Sequence, residues 1–223
     1  MQKNKNVHNR AEAILTVLKS TYPERKTLLK YSRDVELMAG VILSAQCTDA
    51  MVNRILPKLF DRYNNWKDLA EANLSELEQI IRPAGFYHNK AVNIKNAAKM
   101  VLEKCEGILP SEIEKLVQLP GIGRKSANVI VSALYGKPGI IVDTHFKRVL
   151  LRLKLVESAT PEKIEIQVAN LLSPDSWTDF SMAINFHGRY RCYSRKPDCN
   201  NCEILSYCPY GKEKVGDAFS ESP

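Results

Sequence analysis

A primary amine follows directly on a glycine-bracketed turn in the stretch Leu119–Val131, LPGIGRKSANVIV. Gly121 and Gly123 flank one aliphatic residue, Ile122, after Pro120. Glycines so placed allow a tight turn with positive φ and close approach of the backbone to a ligand. A helix starting at Arg124 would offer its first N–H groups and the positive end of its dipole to a phosphate. Lys125 then sits beside the bound anion, where its amine can act as a nucleophile as well as a counter-ion. Leu116, Leu119, Ile122, Ala127 and Ile130 are spaced to staple two short helices together, which predicts a helix-hairpin-helix over about 111–135. Such a unit grips the DNA backbone without reading its sequence. By itself Lys125 fits a phosphate-contacting or simply solvated lysine better than a nucleophile.

Four thiols make the second constellation. Of six cysteines, Cys47 and Cys105 stand alone in apolar, helix-like stretches and are expected to be buried. Cys192, Cys199, Cys202 and Cys208 form a C-x6-C-x2-C-x5-C set. In a cytosolic chain such density points to a metal rather than to disulfides. Four thiolates suit a tetrahedral zinc or an iron–sulfur cube, and donor type alone favours zinc. A carboxylate, Asp143, precedes a helical stretch from Thr144 to Leu155, where spacing alone makes it a helix N-cap.

The composition fits a protein that handles a polyanion. The chain has 223 residues, net charge +7 and a pI near 9.0, enough length for one large or two small domains. Arg189, Arg191, Arg195 and Lys196 fall in an acid-free run from Phe186 to Pro197, and Lys147, Arg148, Arg152 and Lys154 follow one another closely. The acids gather elsewhere, as in Asp68–Glu78. No apolar run reaches about 18 residues, and the N-terminus MQKNKNVHNR has no apolar signal region. A cytoplasmic, membrane-free protein is expected, nucleoid-associated if bacterial or nuclear if eukaryotic.

The C-x6-C-x2-C-x5-C spacing resembles the cluster loop of the endonuclease III family of DNA glycosylases, and the likeness runs on. LSAQCTD at 43–49, GFYHNKA at 85–91, LPGIGRKSANVIV at 119–131, VDTHFKRV at 142–149 and HGRYRC at 187–192 all resemble signatures of that family, in family order. The resemblance implies an all-helical, two-lobed fold with a helix-hairpin-helix and a [4Fe–4S] cluster. It implies removal of oxidised pyrimidines from double-stranded DNA, with lyase cleavage at the abasic site, by a monomer. Lys125 is then the Schiff-base lysine, Asp143 the essential carboxylate, and Cys192, Cys199, Cys202 and Cys208 the cluster ligands. Gln46 matches the residue that fills the gap left by an extruded nucleotide. Phe86 lies in the loop that wedges against the opposite strand, where an aliphatic residue is more usual. Gly121, Ile122, Gly123, Arg124, His145, Arg195 and Lys196 complete the expected DNA contacts. His145 and His187 also fit structural, hydrogen-bonded roles.

Helical periodicity runs throughout, and no convincing strand is visible. Ile14, Leu15, Leu18 and Tyr22 mark one apolar face; Ala91, Ile94, Ala98, Val101, Leu102 and Cys105 mark another. Ser75 with Glu78, and Ser111 with Glu114, read as capping boxes; Thr160–Pro161 reads as an N-cap with proline in the first helical position. Val35–Ala45 is apolar almost all round and should be a buried central helix, and Gly139–Val142 should link the hairpin to the next helix. The family likeness pairs a central bundle over 27–138 with a second lobe of 1–26 plus 139–210, the cluster loop being 192–208. Residues 211–223 read as a short mobile tail.

For the chemistry, a base must first leave the stack, at a cost of a few kcal/mol. Amine attack needs the neutral lysine, which a helix N-terminus, Arg124 and partial burial would favour. Three rivals remain. One is the same lysine chemistry on another lesion such as a pyrimidine dimer. Another is an adenine mismatch glycosylase, which lacks the lysine and carries a further domain, whereas here fifteen residues follow Cys208. The third is a non-catalytic DNA-binding module with a structural metal, which would need neither LSAQCTD nor VDTH.

Overall fold

The computed structural model describes residues 2–24, 27–158 and 160–220, without the side chains of 2–5 and 217–220. Twelve α-helices and no strand occur among the described residues. The chain divides into two compact units, Thr27–Lys137 and Met1–Lys26 with Pro138–Pro223. Each has its own apolar core. No helix of the described residues is long and apolar enough to cross a membrane.

The continuous unit holds α2 (Asp34–Leu43), α3 (Asp49–Arg62), α4 (Trp66–Glu71), α5 (Leu74–Ile81), α6 (Tyr87–Cys105), α7 (Ile113–Leu116) and α8 (Arg124–Tyr135). Helix α2 is buried on every side from Leu37 to Leu43, as its unbroken apolar run requires. Its start is fixed by Glu36, which accepts from the Ser32 backbone N–H at 2.7 Å and from Arg33 Nε at 2.7 Å. Helix α6 buries Ala91, Ile94, Ala98 and Val101 completely. Leu102 departs from that face and stands exposed, and Cys105 and Cys47 are only half-buried.

The discontinuous unit holds α1 (Gln2–Thr21), α9 (Thr144–Arg152), α10 (Pro161–Leu171), α11 (Pro174–Tyr190) and α12 (Pro209–Ser220). Ile14 and Leu18 of α1 are fully buried with Phe146, Phe180 and Ile184. Gly188 lets α11 press on α9, since a Cβ there would lie 2.9 Å from His145 Cβ. Gly139–Val142 has no regular structure. Its backbone is pinned to α11 instead, Gly139 N–H donating to Thr178 Oγ1 at 3.0 Å and Ile141 N–H to Ser181 Oγ at 3.1 Å.

Local signals were right at one helix start and misplaced at two. Thr160 and Pro161 stand at the N-cap and first position of α10. Helix α5 is capped by Asn73, which accepts from Glu76 N–H, so Ser75 lies inside the helix. Asn caps at least as well as Ser, and it comes first in the chain. Glu112 is the N-cap of α7, and Ser111 turns instead toward Lys137, whose ammonium donates to its hydroxyl at 2.8 Å. Of the expected tail, the described part is helical: a proline in the first position starts α12, which continues to Ser220 and packs on α9, and residues 221–223 lie outside the described residues.

Candidate functional site

The hairpin turn joins α7 to α8, and its two glycines differ. Gly121 has φ +78°, and a Cβ there would meet Asn93 Cβ at 2.9 Å, so only glycine fits. Gly123 instead has φ −90°, correcting the expectation of positive φ at both positions. A Cβ at 123 would meet nothing within 4 Å, so the protein's own packing does not require glycine there. Between them Ile122 is buried with Leu116, Leu119, Ala127 and Ile130, the apolar staple that fixes the turn. Gly123 is the N-cap of α8, and no side chain caps that end. A helix start of this kind carries a positive dipole end and backbone donors that lack intrahelical acceptors, the arrangement that binds phosphate. Arg124 and Lys125 are exposed in this first turn, so the partial burial expected of the amine is absent.

Asp143 has two partners. One oxygen accepts from Phe146 N–H at 2.7 Å and caps α9, as spacing foresaw. The other accepts from the Asn185 side-chain amide, and Asn185 Oδ1 accepts from Arg189 Nε at 2.8 Å. Asn185 is buried, so this Asp143–Asn185–Arg189 chain fixes the carboxylate from α11. Neither Asn185 nor Arg189 stood out as a partner of Asp143 in the sequence. His145 is half-buried in the α9–α11 contact, its Nδ1 3.2 Å from Arg148 Nη2.

The four cysteines line one cavity with Arg152, His187, Arg191, Asp198 and Tyr210. Arg152 Nη1 donates to Cys192 Sγ at 3.2 Å, and Gly211 N–H donates to Cys208 Sγ at 3.2 Å. A Cβ at Gly211 would lie 2.9 Å from Leu205 Cδ1, so that side chain would have to shift. Among the described residues no three His, Cys, Asp or Glu side chains close on a single ion. Burial pushes the Cys202 thiol up to about 12 and raises Cys199 and Cys208, so any metal must displace protons to bind them. His187, 3.8 Å from Cys202 Sγ, is held down to about 4 by burial and is neutral at ordinary pH. Its Nδ1 and Glu203 Oε2 are buried 3.9 Å apart, without hydrogen-bond partners.

The basic residues of this unit divide into holders and exposed groups. Arg148 donates to the carbonyls of Gly188 and Cys192, and Arg152 to those of Tyr193 and Ser194. Arg191 pairs with Asp198 and, at 2.9 Å, with Glu203. Arg195 and Lys196 are exposed on the loop so held, Lys196 in the left-handed region at φ +50°. Charge pattern alone could not separate these two groups.

In the continuous unit Gln46 and Phe86 are both exposed and both left-handed, at φ +52° and +50°. Non-glycine residues held there are strained, and such strain collects at functional positions. Phe86 is 66% exposed.

With this geometry in place, comparison with known proteins decides the lineage. Residues 39–174 match the HhH-GPD superfamily of base excision DNA repair proteins. Endonuclease III of Synechocystis is 40% identical over 210 residues, covering 94% of this chain and 96% of the relative. The chain belongs to the endonuclease III family. A solved non-covalent endonuclease III–DNA complex has TM-score 0.89 and 36% identity, covering 94% of this chain and 98% of that one. A trapped endonuclease III–DNA covalent intermediate with an estranged adenine matches as well, at TM-score 0.89, 36% identity, and 93% and 98% coverage. Endonuclease III family membership thus spans both units, and the all-helical architecture agrees with it.

Proposed function

We propose that this chain is a bifunctional DNA glycosylase and AP lyase of base excision repair, acting on oxidised pyrimidines in duplex DNA. The observation that carries the reading is Lys125, an exposed amine in the first turn of the uncapped helix α8, directly behind the Gly121 turn. A phosphate held by that helix end keeps the damaged strand beside the amine. The likeness to a protein trapped as a covalent intermediate on DNA supports the same assignment.

The sequence of events uses each group once. Backbone N–H groups of the hairpin, with Arg124, Arg195 and Lys196, bind phosphates. Gln46 and Phe86 enter the stack as the damaged nucleotide rotates out, offsetting the few kcal/mol that extrusion costs. The neutral Lys125 amine attacks C1′, the C1′–N bond to the base breaks, and the base leaves as its proton is supplied. Asp143 is assigned the stabilisation of the positive charge that develops on the sugar and the proton transfers of the reaction. Opening of the sugar ring yields the imine, which acidifies the C2′ hydrogens. Removal of one expels the 3′ phosphate by β-elimination and nicks the strand.

Cys192, Cys199, Cys202 and Cys208 are assigned as ligands of a [4Fe–4S] cluster. Their side chains line a common cavity, and a four-thiol donor set fits an iron–sulfur cube. When bound, the cluster supplies four iron–thiolate bonds that cross-link the 192–208 loop. Arg152 and Gly211 donate hydrogen bonds to two of the sulfurs. The loop then presents Arg195 and Lys196 to phosphate.

A panel of duplexes, each with one defined lesion, tests the substrate class. Cleavage should be fastest at oxidised pyrimidines and at abasic sites. Preference for pyrimidine dimers over oxidised pyrimidines would move the substrate class while leaving the lysine chemistry in place.

A further inference from the structure

Lys90 is the buried charge that the mechanism above leaves unused. It sits in the first turns of α6, is 5% exposed, and finds carbonyls in place of a carboxylate. Its ammonium donates to Leu43 O at 2.9 Å and to Ala84 O at 2.9 Å. Burial lowers its pKa, with the nearby Cys47 acting in the opposite sense.

The two carbonyls occupy equivalent places in two different loops. Leu43 is the last residue of α2, and Cys47 N–H bonds to Ser44 O, so the Leu43 carbonyl gains no partner from the following turn. A cation there also answers the negative end of the helix dipole. Three residues later comes left-handed Gln46. Ala84 closes the short 3₁₀ turn Arg82–Ala84, and two residues later comes left-handed Phe86. One side chain is therefore fastened to the root of each strained, exposed residue.

We infer that Lys90 is a positioning residue for strand opening: by tying Leu43 to Ala84 it holds the Gln46 and Phe86 loops as one rigid wedge. This rests on the reading of Gln46 and Phe86 as the residues that enter the stack. Two loops fixed to each other reach the duplex already ordered. Loops that move independently must lose that freedom while they displace a base. An abasic site has no base to unstack, so the tie matters least there.

The test compares two activities of the full-length, cluster-containing enzyme under single-turnover conditions. One is excision of an oxidised pyrimidine; the other is β-elimination at a preformed abasic site. Lys90→Met keeps an unbranched side chain only one atom shorter and removes the donors. It should slow excision about tenfold or more, the factor that corresponds to 1.4 kcal/mol. Lyase rate should stay within about threefold, and amides over 44–48 and 84–88 should exchange faster with solvent. Gln46→Ala and Phe86→Ala should show the same selective loss, and Lys90→Met with Gln46→Ala should lose less than the product of the single effects. Lys90→Gln, which retains an amide donor, should fall between wild type and Lys90→Met, and it carries the comparison should the Met variant not fold.

The failures separate cleanly. If Gln46→Ala and Phe86→Ala leave excision unchanged, the wedge reading falls and this inference with it. If those two slow excision while folded Lys90 variants do not, the wedge stands and the role of Lys90 is overturned. Equal loss of excision and lyase in the Lys90 variants would show that it only supports the fold, which also overturns the inference.

Discussion

Replacing Asp143 by Asn separates what its carboxylate does for the fold from what it does for the reaction. Spacing alone predicts that Asn, an equally good cap, costs little. The second contact of Asp143 changes that expectation. If the oxygen of the introduced amide turns toward Phe146 N–H and keeps the 2.7 Å cap, its nitrogen faces the amide nitrogen of Asn185. Two donors then meet. Asn185 cannot flip to relieve them without losing the 2.8 Å bond from Arg189 to its oxygen. One hydrogen bond to a charged acceptor is lost at a buried partner, worth about 1.5–3 kcal/mol. For a chain of this size that is a fall in Tm of roughly 3–12 °C. Adding Asn185→Asp to Asp143→Asn repairs the network, because a carboxylate on α11 accepts both from the new amide and from Arg189. The double variant should regain most of the lost stability, read by circular dichroism. Excision should not return. Both variants should remain at least about a hundredfold slow in single-turnover release of an oxidised pyrimidine, while binding abasic-analogue DNA. Near-normal excision by the single variant would reduce Asp143 to a cap. Recovery of excision together with stability would show that the carboxylate acts only through the fold. Failure of the double variant to regain stability would refute the donor–donor argument itself.

Further outcomes follow from the hairpin, the loop and the thiols. Gly121→Ala should destabilise the protein by about 2 kcal/mol or more, since it forces a Cβ into positive φ and to 2.9 Å from Asn93 Cβ; an unchanged Tm would contradict the turn geometry. Gly123→Ala should leave Tm almost unchanged, since its Cβ meets nothing within 4 Å, yet weaken binding to damaged and undamaged DNA alike if a phosphate docks at the start of α8 as proposed. Arg195→Ala and Lys196→Ala should each lower the salt slope of DNA binding by about one unit, and a loss confined to damaged DNA would mean that they touch the lesion. Purified protein should be yellow-brown with about four iron atoms per chain, and Cys202→Ser should lose iron and stability together; colourless, active protein with one zinc would overturn the cluster assignment.

What the sequence made legible was local. Proline, two glycines and a short apolar pattern define the α7–α8 hairpin because each acts within a few residues, and the burial of Leu116, Ile122 and Ile130 follows. Thr160–Pro161 marks a helix start for the same reason. What stayed hidden depends on distant approach. Arg148 and Arg152 read as surface charge, yet their guanidinium groups reach carbonyls about forty residues away and hold the cysteine loop. Asn185 looks like an ordinary helical polar residue until α11 brings it to Asp143. Lys90 lay inside the motif GFYHNKA without any sign that its charge was buried. Capping failed where a nearer Asn competed with Ser, a contest that spacing alone cannot judge.

The central claim is that Lys125 forms a covalent bond to the sugar, and trapping tests it most directly. Incubated with borohydride and a duplex holding an oxidised pyrimidine or an abasic site, the protein should become cross-linked to DNA through a reduced imine. Lys125→Ala should bind the same DNA, give no cross-link and leave the strand intact. Undiminished trapping by Lys125→Ala would place the nucleophile elsewhere, and the account built on the hairpin lysine would be wrong.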